Sequence, residues 1–174
     1  MRDAVQAFGP IPIEQSRFEA DDIIATYACQ ASAAGAEALI VSSDKDLMQL
    51  VRPGVTFYDF ESGIPGKPGY RPERRLDREG VVEKFGVPPE LVPDVQALIG
   101  DPTDNVPGVP GIGLKTAAQL ICEYGSLEAL LERVEEIKQR LRRETLIENA
   151  EKARISKQLV TLECGLPVDV PLEE

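Results

Sequence analysis

Four consecutive apolar residues, Ala38 to Val41, lead directly into the polar segment Ser42-Ser43-Asp44. A short apolar run that ends in polar residues is typical of a buried strand in a parallel sheet. Around it the apolar spacing predicts a helix over Phe18–Ala34, a short helix over Lys45–Val51 and a second strand over Val55–Phe60. This alternation indicates an α/β fold with helices packed on a mostly parallel sheet.

The second half of the chain is predicted to be helical. Ser62–Arg75 is rich in glycine, proline and basic residues, so we predict a mobile surface loop there. The predicted helices are Asp77–Phe85, Pro88–Ile99, a stretch ending at Tyr124, Ser126–Val134 and Glu144–Leu162. We therefore expect a partial sheet with helices over 1–100, a helical region over 101–164 and an acidic tail or linker over 165–174.

The chain contains no histidine, which excludes histidine bases, Ser-His-Asp and Cys-His nucleophiles, and histidine-rich metal sites. Catalysis must therefore depend on carboxylates, lysines or bound metal. Cys29, Cys122 and Cys164 form no CxxC pair, so we expect no disulfide framework or zinc site and interpret them as small core residues. With no apolar run near the roughly 20 residues of a membrane span and no signal-peptide pattern, we expect a cytoplasmic protein without a membrane partner.

Acidic residues concentrate in three short clusters. The clusters are Glu19, Asp21 and Asp22 at a helix start, Asp44 and Asp46 after the first strand, and Asp101 and Asp104 in a break between helices. Each also has an ordinary explanation, because acids complement helix amino termini, Asp44 can cap a helix, and aspartate is common in turns. A cap, however, explains one aspartate after the strand and not two.

If the fold brings these carboxylates together, like charges about 4 Å apart repel by several kcal/mol at an effective dielectric near 20. Divalent cations would offset this repulsion, and all-oxygen ligands suit Mg²⁺ or Mn²⁺. Two such ions about 4 Å apart activate a water and stabilise the leaving oxygen of a phosphodiester. The net charge of −11 argues against a polyanionic partner, and this compensation weakens that objection.

A glycine-rich run precedes the helix that ends at Tyr124. Its candidate phosphate-binding residues are Gly108, Val109, Gly111, Ile112, Gly113, Lys115 and Thr116. Glycines allow a phosphate to approach the backbone, and the following helix offers unpaired N–H groups. An ordinary helix connection would need one glycine, whereas three with flanking prolines favour sequence-independent binding of a sugar-phosphate backbone. The spacing matches neither a Walker loop nor a dinucleotide-binding fingerprint.

The basic residues outside this run fall into two groups. They are Arg71, Arg74, Arg75 and Arg78 near the predicted loop, and Lys138, Arg140, Arg142 and Arg143 before the last predicted helix. Charged runs are usually solvated faces, and we interpret both groups in that way.

The segments EADD, SSDKD and GDPTDNVPGVPGIGLKTA, in that order, resemble the 5′-3′ exonuclease domain of bacterial DNA polymerase I, in the flap endonuclease family. The resemblance runs from about Met1 to about Leu162 and implies a PIN-like α/β half followed by a helix-hairpin-helix region. It implies that the carboxylates of the three clusters hold two Mg²⁺ or Mn²⁺ ions. It also implies that Gly108–Thr116 holds duplex DNA, with a K⁺ ion bridging to phosphate.

The implied substrate is a 5′ flap or a duplex with a 5′ end, and the implied partner is a fused or associated DNA polymerase. Family members begin with a strand that carries a metal-binding aspartate, followed by a second aspartate and basic helices, and nothing before Met1 supplies these. We therefore expect the chain to lack the amino-terminal portion of the domain. Two hypotheses result: a metal-dependent nuclease, or a catalytically incomplete DNA-binding fragment. A Ca²⁺ module is disfavoured because no D-x-D-x-D-G loop is present.

Overall fold

A computed structural model of the chain describes residues 2–172. Its sheet has three strands in the order β1 (Ala38–Val41), β2 (Val55–Asp59) and β3 (Arg74–Leu76). β1 and β2 pair in parallel, as predicted, and β3 joins β2 in antiparallel. The expectation that the first strand is buried was wrong, because β1 lies at the sheet edge with Leu39 47% and Val41 59% exposed.

Eight helices account for most of the rest of the described chain. They are α1 (Arg2–Ala7), α2 (Ala20–Ala33), α3 (Arg78–Phe85), α4 (Val92–Ile99), α5 (Leu114–Tyr124), α6 (Leu127–Glu132), α7 (Arg140–Glu148) and α8 (Ala150–Val160), with 3₁₀ turns at Lys45–Leu50, Pro89–Leu91 and Val134–Glu136. The single helix predicted over Glu144–Leu162 was wrong, because the chain breaks at the buried Asn149. None of the helices within residues 2–172 is long and apolar enough to cross a membrane.

The core centres on α4, whose Val95, Ala97 and Leu98 are fully buried. Buried apolar residues from α2 to α8 join this one cluster. The buried carboxylate of Asp94 accepts hydrogen bonds from the Leu127 amide at 2.7 Å and from Lys157 Nζ at 2.8 Å. These bonds tie α4 to the start of α6 and to α8, so the acid is buried with partners rather than unpaired.

The segment predicted as a loop over Ser62–Arg75 is partly ordered. Arg74 and Arg75 belong to β3, and Ser62 and Arg71 exchange two backbone hydrogen bonds of 2.9 and 2.8 Å. Arg74 also donates to the buried carboxylate of Asp59 at 3.1 Å. The glycine- and proline-rich residues 63–70 therefore project from a base that is fixed to the sheet.

The interpretation of the cysteines as unpaired core residues was wrong. A disulfide joins Cys29 of α2 to Cys164, and Cys122 is free and exposed. Around the disulfide, Asp22 accepts from the Glu163 amide at 2.9 Å and the Tyr27 hydroxyl donates to the Val170 carbonyl at 2.7 Å. The segment after α8 is thereby fastened along α2.

A close backbone contact connects the end of α4 to the glycine-rich run. Gly100 and Gly108 both have positive φ, at 72° and 61°, and a Cβ on Gly108 would lie 2.6 Å from the backbone of Gly100 and Ile99. Between them Asp101 and Val106 exchange two backbone hydrogen bonds, of 2.9 and 2.8 Å. Only glycine fits such a contact, and the segment 101–106 is closed into a compact loop beside the hairpin.

We expect Gly108→Ala to lower the free energy of unfolding by at least about 3 kcal/mol, because a Cβ would force the loop away from Ile99. Gly111→Ala is the matched control: its φ is also positive, but its Cβ would meet nothing within 4 Å. Gly111→Ala should lower the free energy of unfolding by only about 1–2 kcal/mol, the cost of placing an alanine in the left-handed backbone region. Urea denaturation of both variants measures the difference, and equal losses would contradict the proposed contact.

Candidate functional site

A cavity of about 550 Å³ opens at the carboxyl end of β1, where open α/β sheets place their ligands. Four aspartates from all three acidic clusters line it: Asp21, Asp44, Asp101 and Asp104. Three basic side chains, Lys45, Arg71 and Lys84, line it as well, together with Ser42, Ser43 and Thr103. The fold thus brings together in one cavity acids that lie up to 83 positions apart in the chain.

Asp21 lies in the first turn of α2 and is half-buried. Burial, followed by the negative charges of Asp44, Asp46, Glu19 and Asp22, raises its pKa from 3.8 to about 6. Both causes disfavour the charged carboxylate. The site therefore carries a negative potential at Asp21 that its own basic residues do not fully offset.

Asp44 and Asp46 start the 3₁₀ turn after β1. Asp44 caps it by accepting from the Asp46 amide at 3.0 Å, while the Asp44 amide donates to Ser42 Oγ at 3.0 Å. The capping explanation for Asp44 is therefore realised, and the same residue also lines the cavity. Asp46 lies outside the lining and accepts from Gln96 of α4.

Lys45 forms an ion pair with Asp101 and a second one with Asp46, at 3.2 Å. Burial alone would lower the pKa of Lys45, but the hydrogen bonds to Asp101 and Asp46 raise it above its ordinary value. The same contact with Lys45 lowers the pKa of Asp101, which also accepts from the Thr103 amide at 2.8 Å. Lys45 thus acts as an internal counter-ion for two of the acids.

Glu19 and Asp22 do not line the cavity. Glu19 is exposed at the N-cap position of α2 and makes no side-chain capping bond. Asp22 is turned towards the Glu163 amide. Of the first cluster, Asp21 alone reaches the cavity in the described part of the chain.

The donor set of the cavity fits a hard divalent cation, since it consists of carboxylate oxygens with hydroxyl and backbone groups beside them. The raised pKa of Asp21 supports this fit, because a cation would relieve the repulsion that causes it. Within residues 2–172, no three acidic or cysteine side chains converge closely enough to hold a metal as they stand. The acids around Lys45 would have to close inwards and replace its ammonium group.

The glycine hairpin, Gly108–Thr116, is joined to the third acidic cluster through the contact of Gly108 with Gly100, and it leads into α5. Gly111, Gly113 and Lys115 are exposed, and Gly113 occupies the N-cap position of α5 without a side-chain cap. A Cβ on Gly111 or Gly113 would meet nothing within 4 Å, so the space in front of the helix start is open. The hairpin can therefore present unpaired N–H groups to an anion.

The other proposed hairpin residues have different surroundings. Val109 and Ile112 are 4% and 6% exposed and belong to the core, and Gly108 is buried against Gly100. Thr116 is half-buried in the first turn of α5. Only the backbone of these buried residues could face a ligand.

Four residues near the acids were not assigned a role from the sequence: Lys45, Arg71, Lys84 and Gln96. Lys45 lies between Asp44 and Asp46 in the chain, and its position was a usable signal. Gln96 is a polar residue in the otherwise apolar run of α4, which was a second signal. Arg71 was interpreted as part of a solvated basic group, and nothing in the local sequence marked Lys84. Both reach the cavity only through the packing of β3, which follows Arg71, and of α3, which carries Lys84.

Comparison with known proteins identifies the family. Residues 1–86 match the family described as "5'-3' exonuclease, N-terminal resolvase-like domain", and residues 87–174 match "5'-3' exonuclease, C-terminal SAM fold". DNA polymerase I of Rhizobium leguminosarum is 53% identical over 173 residues, which are 99% of this chain and 16% of that protein. DNA polymerase I of Bacillus subtilis (strain 168) is 38% identical over 170 residues, 98% of this chain and 19% of the relative. The chain thus spans less than a fifth of the length of these relatives.

Solved structures share the fold at low sequence identity. The T5 D15 protein co-crystallised with metal ions matches with a TM-score of 0.75 and 22% identity, over 91% of this chain and 56% of that one. The catalytic core of Rad2 in complex with DNA substrate matches with a TM-score of 0.54 and 17% identity, over 97% of this chain and 55% of that one. The α/β half followed by a helical region, expected from the sequence, is confirmed, as is the resemblance on which it rested. The chain belongs to the 5′-3′ exonuclease family, and both domains of that family are represented along its length.

Proposed function

We propose that this chain carries the metal-dependent 5′-3′ exonuclease or flap endonuclease activity of a DNA polymerase I, acting on a 5′ flap or a duplex with a 5′ end. The observation that carries the proposal is the cavity into which Asp21, Asp44, Asp101 and Asp104 converge beside an open helix start. Two Mg²⁺ or Mn²⁺ ions bound there would supply an activated water and stabilise the leaving oxygen of the phosphodiester. Family membership supports DNA as the substrate class and divalent metal as the cofactor.

The four lining aspartates are the proposed inner metal ligands. Asp46 is proposed as a further ligand. It forms an ion pair with Lys45, which lines the cavity, and it would become available to a metal when that ion pair breaks. Glu19 and Asp22 contribute negative potential at Asp21 rather than direct contacts. Gln96 holds Asp46 from the side of α4, and Ser42 holds the Asp44 backbone, so both acids are kept in place by neighbouring groups.

The hairpin from Gly108 to Thr116 is proposed to hold the duplex behind the cleavage point. Its open N–H groups and Lys115 would bind phosphates without reading bases. A K⁺ ion is proposed to bridge the hairpin carbonyls and a phosphate. We propose that residues 1–100 provide most of the carboxylate core. Residues 101–164 would provide the remaining acids and the region that holds the DNA, and residues 165–174 would form a tail or linker.

The relatives named above are bacterial DNA polymerases, which supports a fused or associated polymerase as partner and a role in replication and repair. The chain would then act on chromosomal DNA in the cytoplasm, at the nucleoid. The alternative, a catalytically incomplete DNA-binding fragment, is not favoured. A protein that only binds DNA has no use for four aspartates in one cavity, where they disfavour a phosphate.

Asp44→Asn and Asp101→Asn should each lower Mg²⁺-dependent cleavage of a labelled 5′-flap duplex by at least about a hundredfold, because each removes a charge from the metal site. Glu83→Gln is the matched control, since Glu83 is exposed on α3 outside the cavity lining. Product formation is followed on denaturing gels. Cleavage by Asp44→Asn at the wild-type rate would overturn the proposed metal site.

Asp21→Asn should stabilise the metal-free protein at pH 7–8 by on the order of 1 kcal/mol, a value reduced for the partial exposure of the group. The pKa of Asp21 is raised from 3.8 to about 6, so the folded wild type loses stability as pH rises through this window. Below a pH of about 4, the variant should be no more stable than the wild type, because the wild-type carboxyl is then protonated in both the folded and the unfolded state.

Urea denaturation across pH 3–8 tests this prediction. Adding Mg²⁺ at pH 8 should stabilise the wild type and leave Asp21→Asn almost unchanged, because ligand binding stabilises only the form that binds it. An Mg²⁺-induced gain of equal size in both proteins would rule out Asp21 as a ligand.

Lys115→Gln should weaken duplex binding about equally across sequences and reduce the slope of log affinity against log salt by about one, as expected for one lost phosphate contact. Lys152→Gln is the control, since Lys152 lies on α8 and contacts Asn149. Fluorescence anisotropy between 50 and 200 mM KCl, repeated in LiCl, measures both the slope and the proposed K⁺ effect, which should appear as weaker binding in LiCl.

A further inference from the structure

Two basic residues of the carboxylate cavity, Arg71 and Lys84, form no ion pair with an acid of the described residues 2–172. Lys45, by contrast, is already bound to Asp101 and Asp46. A cavity that gathers acids for a cation thus also contains two cationic groups available to an anion.

Arg71 reaches this cavity because the segment after β2 is fixed at its base. Two backbone hydrogen bonds join Arg71 to Ser62, at 2.9 and 2.8 Å. Three residues further on, Arg74 pairs with the buried Asp59 at the end of β2. The glycine- and proline-rich residues 63–70, for which the sequence suggested no role, therefore form a loop closed by the bridge between Ser62 and Arg71, and this bridge places an arginine beside the carboxylate cavity.

Lys84 reaches the same cavity from α3. It also lines a second cavity of about 380 Å³ together with Lys115, which stands in the first turn of α5 after the hairpin. Its Nζ lies 5.8 Å from the centre of the Phe85 ring, and its surroundings lower its pKa, mainly through burial. A half-buried ammonium without a contacting acid is unfavourable in the free protein, and an anionic ligand would remove that cost.

An ordinary explanation for the position of Lys84 is that its charge neutralises the buried carboxylate of Asp59. Asp59 is 1% exposed, and Arg74 already contacts its Oδ2 at 3.1 Å, while its Oδ1 has no hydrogen-bond partner among the described residues. If Lys84 neutralised Asp59, its Nζ would be expected to donate a hydrogen bond to this Oδ1. It lies beyond ion-pair distance of Asp59 instead. The charge of Asp59 raises the pKa of Lys84 by less than burial lowers it, so the buried acid compensates this ammonium group only in part.

We propose that Arg71 and Lys84 bind one or two backbone phosphates of the DNA strand that runs between the glycine hairpin and the carboxylate cavity. The proposal rests on the function proposed above and adds a specific path for the strand, from Lys115 past Lys84 to Arg71. Both residues hold the strand by charge, so a phosphate is kept beside the acids despite their repulsion.

The test is DNA binding by the 174-residue chain in EDTA, so that no divalent ion contributes. The probe is a fluorescent duplex with a 5′ single-stranded extension, and the readout is anisotropy across 50–200 mM KCl. Arg71→Gln combined with Lys84→Met should weaken binding at about 100 mM salt by on the order of tenfold. The slope of log affinity against log salt should become shallower by about 1.5, as for two lost phosphate contacts.

Charge-conserving and matched variants separate binding from folding. Arg71→Lys combined with Lys84→Arg should restore most of the affinity and the salt slope. Lys67→Gln combined with Arg75→Gln removes two charges from the same region outside the cavity lining and should leave both unchanged. Urea denaturation confirms that each variant is folded; an unfolded double variant is replaced by Arg71→Gln alone, for which half the slope change is expected.

Wild-type affinity and salt slope in the Arg71→Gln/Lys84→Met variant would overturn this inference and leave the proposed function intact. An equal loss in the Lys67→Gln/Arg75→Gln control would also overturn it, since the effect would then be one of general charge. A wild-type chain that does not bind the probe would overturn the inference together with the proposed function. The cleavage assays with Asp44→Asn test the proposed function independently.

Discussion

The close contact between Gly100 and Gly108 is the constraint on which both halves of the site depend. It closes the segment from Asp101 to Val106 and sets the start of the hairpin directly against the end of α4. The Val109 amide, which donates to the Leu98 carbonyl at 2.7 Å, reinforces the same junction. Acids of the third cluster and the open start of α5 are therefore held in one rigid unit, because a side chain at either glycine would separate them.

Electrostatic repulsion is the second constraint, and the chain meets it locally. Four aspartates line one cavity in a chain of net charge −11. Lys45 compensates two acids of the site while Asp21 keeps a raised pKa of about 6. A site arranged in this way is less stable than the fold could make it, which is a common cost of binding charged ligands.

Periodicity and motif order predicted much of this molecule. Local spacing predicted the strand Ala38–Val41, and its predictions of a strand over Val55–Phe60 and a helix over Phe18–Ala34 lie within two residues of the observed Val55–Asp59 and Ala20–Ala33. The helix stops at Gly35 and Gly125 follow from glycine conformation. A common site for the seven acids of the three clusters was implied by the family resemblance, and four of them, Asp21, Asp44, Asp101 and Asp104, line one cavity. These features depend on residues close together in sequence or on a recognisable order of segments.

Long-range packing was not predictable in the same way. The edge position of β1, the break at Asn149 and the Cys29–Cys164 disulfide depend on partners far away in the chain. The same holds for Lys84 and Arg71, which reach the cavity only once α3 and β3 are placed. Local patterns give the type of an element, whereas its neighbours are decided by the whole core.

The fastening of the segment after α8 has a mechanical consequence. Cys164, Glu163 and Val170 are all attached to α2, and the first turn of that helix contains Asp21. The segment after α8 and the wall of the cavity that carries Asp21 are therefore joined through one helix. A displacement of α2 would move both together.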